Sequence, residues 1–533
     1  MDAHYLAPLF APRSIVVFAG TTDAEEASTA LGATLLEALK AQRYKGTLQF
    51  VSTQTSGTLA DLMQIKADLA VIALPAAEVP AAIELAARMA CQAVVVVSAG
   101  VDSEVAAAWH KQARREGIYL LGPNSLGYQR PSLGLNASAL GPLAEAGPLA
   151  LVSQSGSLTA SMLDWAAKNA VSFSSVVSLG PHASVGLAEA LDFLANDPQT
   201  QSILVYMEGI WDARRFMSTL RSAANAKPVI VLKAGRRLAG QAAARTHSAA
   251  MVGDDEVFDA ALRRAGAVRV KSFDEMFSAA KCLASRFRPS GKRLAIVTNG
   301  GGPGVLAADR VNDIDLALGE LSPETAQALQ AVLPPTASLV DLIDLSEDAT
   351  PEHFAAALDA ANHDARIDGL LVIYSPKPGA DPNAYAAAVA ACKPRLSKPL
   401  LTCWMGDDTV VDARVALNDA NIPTYRTPES AVGAFGYLSS FYQNQKLLQQ
   451  TPPPLSTLAK PDIEGARLVI ESVLAERRKT LTEMESKSLL SAFHIPVTET
   501  ILARSAHEAM MIATQLGFPV ALKIDSPDIS HKS

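Results

Sequence analysis

The sequence predicts an α/β protein made of successive doubly wound parallel sheets. Short runs rich in Val, Ile and Leu alternate with Ala-rich helical stretches through most of the chain, the pattern of strands buried on both faces beneath helices. At 533 residues the chain can bury about three to four separate cores. One arrangement of strands and turns also occurs twice in the same order, as a duplicated subdomain requires.

In the first 130 residues, strands are expected at 14–18, 69–73, 93–98 and 119–121, separated by helical segments such as 31–40 and 80–89. They make one doubly wound domain. The repeat follows. Leu149-Ala-Leu-Val-Ser-Gln-Ser-Gly156 aligns with Leu294-Ala-Ile-Val-Thr-Asn-Gly-Gly301, Ile203-Leu-Val-Tyr-Met207 with Leu370-Leu-Val-Ile-Tyr374, and the strand ending at Gly235 with the one ending at Gly406. The offsets are 145, 167 and 171, so the copies differ by loop-sized insertions. A last helix runs through Leu448, and the Pro-rich stretch 451–461 then reads as a semi-rigid linker. Beyond it a charged helical stretch (463–490), Ile495-Pro-Val, a helix over 506–516 and a strand over 519–524 suggest the start of another α/β module. A strand with no sheet to join cannot bury its apolar face alone, so the chain is expected to be a fragment or one half of a partnered assembly.

Composition excludes several classes. Hydrophobic residues make up 49% and charged residues 19%, which disfavours disorder. The net charge is −8 and no Lys/Arg-rich run stands out, so a nucleic-acid partner lacks its electrostatic footprint. Cys91, Cys282, Cys392 and Cys403 form no CxxC pair and suit reduced cytosolic thiols, with no metal site implied. The longest apolar runs are strand-sized, and the N-terminus resembles neither a secretion signal nor a transit peptide. A cytoplasmic protein without a membrane span is expected.

Each copy of the repeat opens with a strand running into a small, polar turn and then a helix: Ser153, Gln154, Ser155 and Gly156 in the first, Asn299, Gly300, Gly301 and Gly302 in the second. Backbone N–H groups at a helix start, with the macrodipole behind them, suit a phosphate or carboxylate, though Ser and Gly also serve simply as helix caps. His247 lies in an irregular stretch of small and basic residues, where a loop is expected. Its imidazole is a good phosphoryl acceptor near neutral pH. Glu208 is placed at the carboxyl end of a strand of the same repeat, where ligand sites of doubly wound sheets lie, and could hold the other ring nitrogen.

Gly122-Pro-Asn-Ser-Leu-Gly127, Ser153-Gln-Ser-Gly156, Tyr206-Met-Glu-Gly209, Lys233-Ala-Gly-Arg236, Thr246-His-Ser248, Asn299-Gly-Gly-Gly302 and Ser526-Pro-Asp-Ile-Ser-His-Lys-Ser533 occur in one order. Together they resemble the NDP-forming acyl-CoA synthetases, relatives of succinyl-CoA synthetase. Details such as Arg426-Thr-Pro-Glu429 look most like the bacterial branch fused to a GNAT protein acetyltransferase domain, and no GNAT segment is present in this sequence. The resemblance implies a CoA-binding Rossmann domain (1–130), two succinyl-CoA-ligase-like flavodoxin subdomains (145–288 and 291–450), a linker (451–475) and a truncated ATP-grasp domain (476–533).

It also implies a reaction. Acyl-CoA, favoured as acetyl-CoA, and phosphate give an acyl phosphate; the phosphoryl group passes to a histidine and then to ADP. His247 matches that histidine, Glu208 its orienting acid, and the two turns the phosphate-gripping helix ends. Gly20, Thr21, Pro75, Ser98, Ala99, Gly100, Pro123 and Asn124 match the CoA site. Lys523 and His531 match a nucleotide contact and a second phosphate carrier, with ATP or ADP and Mg as cofactors. The paired sites can be assembled within one chain or between two, so a homo-oligomer is one expectation.

Three departures stand beside the likeness. The first CoA loop reads Ala19-Gly-Thr-Thr-Asp-Ala-Glu-Glu26, and its acids should weaken CoA binding. Val51-Ser-Thr53 replaces the family's Val-Asn-Pro. Thr246-His-Ser-Ala249 lacks the family's Gly after the histidine motif. The alternative to a ligase is therefore a region that senses acyl-CoA and regulates an acetyltransferase without turnover. A plain dinucleotide oxidoreductase is disfavoured, since no GxGxxG follows the first strand.

Overall fold

The computed structural model describes residues 4–20, 23–24, 26–41, 44–53, 66–169, 171–180, 184–248, 254–284, 289–451 and 460–526, the side chains of 244–248 excepted. Two compact units are formed, Met1–Gln449 and Gln450–Ser533.

The first unit begins with a parallel sheet of β1 (Ser14–Phe18), β2 (Thr47–Phe50), β3 (Leu69–Ile72), β4 (Ala93–Val97) and β5 (Tyr119–Ser125), in the order 2-1-3-4-5. β3 and β4 are buried at every position, as their unbroken apolar runs require. β2 has no such run because it is the sheet edge and stays half-exposed.

The second sheet holds β6 (Gly127–Arg130), β7 (Leu135–Ser138), β8 (Ala146–Ser153), β9 (Phe173–Ser178), β10 (Ser202–Met207), β11 (Val229–Lys233) and β12 (Val268–Val270). Its order is 12-11-10-8-9-6-7, with β6 and β7 the antiparallel members. The third sheet holds β13 (Arg293–Thr298), β14 (Ala317–Leu318), β15 (Ile343–Asp344), β16 (Gly369–Tyr374), β17 (Leu400–Trp404) and β18 (Thr424–Tyr425), ordered 14-13-16-17-18 with β15 beside β13.

The duplication holds to the residue. Ala150 pairs with Ile203 and Ala295 with Leu370; Val205 pairs with Val231 and Val372 with Thr402. These partners are related by the same three offsets that align the sequences. Gly235 and Gly406, which follow the equivalent strands β11 and β17, both take positive φ, at 71° and 101°. Between the second and third sheets one apolar core includes Phe277, Phe435 and Leu438. The helix Pro428–Gln449 is apolar around much of its circumference because it runs through this shared core.

In the second unit the helix Ala506–Leu516 forms as expected. Two expectations are corrected. The charged stretch is two helices, Ile463–Ala475 and Glu483–Ala492, broken where Arg477 adopts φ +57°. Residues 495–497 and 519–524 form no strand, and Leu522 and Ile524 are 78% and 61% exposed. Their β propensity is outweighed because no neighbouring strand among the described residues takes up their backbone hydrogen bonds. Among the described residues, no helix is long and apolar enough to cross a membrane.

Candidate functional site

The expected CoA residues cluster at the carboxyl edge of the first sheet. Gly20 follows β1 and Pro75 follows β3, so they flank the point where strand order reverses, the ligand-binding crevice of such sheets. A Cβ on Gly20 would lie 1.6 Å from the Asp23 carbonyl oxygen, so this turn closes only on glycine. Ser98, Ala99 and Gly100 follow β4, and Ala99 and Gly100 are exposed. Ser98 Oγ accepts from Asn124 N at 3.1 Å, while the Asn124 amide bonds Val101 N and O, both at 2.8 Å. Asn124, at φ +55°, thus locks the β4 and β5 ends together. Asp23 and Glu26 are exposed beside this edge. Thr21 lies outside the described residues.

β5 ties this edge to the second sheet. Ser125 Oγ donates to Ser178 O at 2.5 Å, and a Cβ on Gly180 would sit 2.6 Å from the carbonyl oxygens of both Pro123 and Asn124. Leu126 lies against the first turn: a Cβ on Gly156 would be 2.7 Å from its Cδ1. The Pro123–Asn124 segment and the Ser153–Gly156 turn are therefore neighbours.

That turn is built by its own side chains. Ser153 Oγ accepts from Ser155 N at 3.1 Å and donates to Ser155 O at 2.9 Å, and Ser155 caps the helix Gly156–Lys168. Gln154 Oε1 accepts from Glu208 N at 2.6 Å and Gly209 N at 3.2 Å, while its Nε2 donates to Gly209 O at 3.1 Å. Glu208 is 8% exposed and accepts from Tyr206 Oη at 3.3 Å. Burial, followed by the charge and hydrogen bond of Glu208, pushes the Tyr206 phenol up to about 12.

The second turn repeats this. Thr298 Oγ1 accepts from Gly300 N at 3.0 Å and donates to Gly300 O at 2.9 Å. Asn299 accepts from Ser375 N at 2.8 Å and donates to Ser375 O at 2.9 Å. Gly301 begins the helix Gly301–Asp313, and a Cβ on Gly302 would meet nothing within 4 Å. The counterpart of Glu208 is Ser375, whose buried Oγ has no hydrogen-bond partner among the described residues.

His247 is not in a loop. It belongs to the helix Leu238–Ser248, which the Ala-rich run after Leu238 favours once the chain has left β11; its side chain lies outside the described residues. Lys523 Nζ is 3.3 Å from Glu483 Oε1, a largely exposed ion pair within the second unit. His531 lies outside the described residues. Sequence reading assigned no role to Leu126 or Ser375, whose neighbours are distant in the chain, nor to Lys233, whose motif alone was visible.

These turns and sheets define a CoA-ligase-like protein. The succinyl-CoA ligase like flavodoxin domain matches residues 146–283, the ligase-CoA domain residues 294–448 and the ATP-grasp domain residues 472–533. The acetate–CoA ligase (ADP-forming) I of Archaeoglobus fulgidus is 34% identical over 472 residues, covering 87% of this chain and 67% of that protein. The acetate–CoA ligase (ADP-forming) I subunit alpha of Pyrococcus furiosus is 33% identical, covering 71% of this chain and 83% of that one. The dinucleotide-forming acetyl-coenzyme A synthetase 1 of Ca. Korarchaeum cryptofilum, solved with phosphate and ADP, superposes with a TM-score of 0.74 at 27% identity, covering 85% of this chain and 99% of that one. The chain belongs to the family of ADP-forming acyl-CoA ligases. These relatives are ligases, which leaves the acetyltransferase-regulating alternative without support.

Proposed function

We propose that this chain carries the acyl and phosphoryl transfer steps of an ADP-forming acyl-CoA ligase, with acetyl-CoA, phosphate and ADP as substrates. The observation that carries the reading is the adjacency of the Pro123–Asn124 segment, through Leu126, to the Ser153–Gly156 turn that Gln154 ties to Glu208. A thioester delivered from the first sheet would then meet phosphate at a helix start.

CoA would be held by Gly20, Thr21, Pro75, Ser98, Ala99, Gly100, Pro123 and Asn124; of these, Ala99 and Gly100 are exposed after β4, at the carboxyl edge of the first sheet. A phosphate oxygen attacks the acyl carbon, the C–S bond breaks and CoA leaves as thiolate. The turns at Ser153, Gln154, Ser155 and Gly156 and at Asn299, Gly300, Gly301 and Gly302 stabilise the anion with backbone N–H groups. A ring nitrogen of His247 then takes the phosphoryl group as the P–O bond to the carboxylate breaks, releasing the acid. Glu208 accepts from the other ring N–H and fixes the tautomer. ADP recovers the phosphoryl group, with Lys523 and His531 on the nucleotide side; bound Mg would neutralise phosphate charge.

Incubating the protein with acetyl-CoA and 32P-phosphate tests the reading. Acid-labile, base-stable label that disappears in His247→Ala supports it. CoA binding without label in the unsubstituted protein overturns it.

A further inference from the structure

Strands β10, β11 and β12 of the second sheet are consecutive parallel neighbours, so their carboxyl ends lie side by side at about 4.8 Å spacing. The loop after β10 carries Trp211, which is 60% exposed, and the loop after β11 carries Arg236 and Arg237. Lys271 follows β12, and Arg236 Nη2 donates to its carbonyl oxygen at 3.3 Å. One indole and three cations therefore share an edge with the Ser153–Gly156 turn, which follows β8 on the other side of β10. Among the described residues, none of the three cations forms an ion pair.

The duplicated subdomain supplies an internal control. Gly235-Arg-Arg237 is matched in the second copy by Gly406-Asp-Asp408, after equivalent strands and with positive φ at both glycines. Trp211 is matched by Pro378. In the second copy Asp407 is bound by Arg414 at 2.9 Å and lies 3.8 Å from Arg426, so that loop spends its charge on contacts within the fold. The fold accepts either sign of charge here, and closing the loop does not call for arginines.

We infer that Trp211, Arg236, Arg237 and Lys271 form a subsite for a nucleoside diphosphate group, the chemistry shared by free ADP and the nucleotide end of CoA. The choice of ligand rests on the proposed function. A base stacks on an exposed aromatic ring, while guanidinium and ammonium groups bind phosphate oxygens. At net charge −8 the molecule as a whole repels a polyphosphate, so holding one calls for cations that no acid neutralises. The acids at this edge have partners of their own. Glu208 accepts from Tyr206 Oη at 3.3 Å, Asp212 from Arg215 N at 2.9 Å and Glu275 from Lys271 N at 2.7 Å.

Calorimetry on the full chain with ADP, CoA and inorganic phosphate tests the subsite, for the unsubstituted protein, Trp211→Ala and the double variant Arg236→Asp/Arg237→Asp. The double variant imports the residues of the second copy, and Arg236→Gln/Arg237→Gln replaces it should its thermal midpoint fall. Affinity for ADP, CoA or both should drop at least about tenfold in the single and the double variant, while Trp211→Ala should leave phosphate binding unchanged. A loss for ADP alone assigns the subsite to the free nucleotide, and a loss for CoA alone assigns it to the nucleotide end of CoA. Unchanged affinity for both overturns the inference. A loss confined to the arginine variants overturns it too, by reducing the cluster to a general anion patch. Histidine labelling is read separately: label present with affinities unchanged sinks the subsite alone, and label absent with affinities lost sinks the proposed function alone.

Discussion

Gln154 and Glu208 are 54 positions apart in the chain, yet the side-chain amide of one accepts the backbone N–H of the other at 2.6 Å. Asn299 does the same for Ser375 at 2.8 Å in the second copy. A turn-forming amide in each copy thus fastens the helix start to the end of the neighbouring strand. The acid at position 208 owes its placement to this bond.

Gln154→Leu would remove the acceptor for Glu208 N and Gly209 N. Leaving those donors without it should cost about 1–3 kcal/mol in stability, measured by denaturant unfolding. Histidine labelling should fall more than CoA binding does. Equal losses in both would mean that the amide serves only the fold.

Gly20→Ala places a methyl where the Asp23 carbonyl oxygen already lies, 1.6 Å away. The turn after β1 must open. CoA affinity, by calorimetry, should weaken at least about tenfold, equivalent to about 1.4 kcal/mol, and the thermal midpoint should fall as well, because Gly20 is buried. Unchanged affinity would place CoA elsewhere.

Asp368 takes bonds from Arg293 Nε at 2.8 Å, Arg293 N at 2.9 Å and Ser290 Oγ at 2.8 Å. Burial pushes its carboxyl up, but these hydrogen bonds and the guanidinium charge outweigh burial and bring it down to about 2. A depressed folded value means stability that is present above the unfolded value near 4 and lost as pH falls through about 2. Asp368→Asn should therefore lower stability at pH 7 by about 2 kcal/mol, with the gap closing below pH 3. A gap independent of pH would assign the loss to packing.

All four cysteines are buried, and burial pushes Cys91, Cys282 and Cys403 up to about 12. Native protein at pH 8 should react with Ellman's reagent slowly at every thiol, and the denatured chain rapidly at four. A fast native thiol would show that one of these cores opens.

The two turns were legible because Ser, Asn and Gly at a strand-to-helix junction mark themselves locally, and repetition at one offset raised them above ordinary caps. The β-strands of the cores were legible for a similar reason: β4 is five consecutive Ala and Val residues. The helix carrying His247 was not, since its small and basic residues read equally as a loop. The stretch 519–524 misled in the other direction, because six residues of β propensity form a strand only when another strand accepts their hydrogen bonds.

The sequence by itself determined the α/β class, the duplication and the identity of both strand-to-helix turns, since each of these is written in residue type over a few neighbouring positions. Tertiary structure decided which distant residues meet: Gln154 with Glu208, Leu126 with Gly156, Lys233 with the end of β10. Strand order sets those meetings, and strand order comes from packing helices across both faces of a sheet, an interaction between segments that leaves no mark on any one of them.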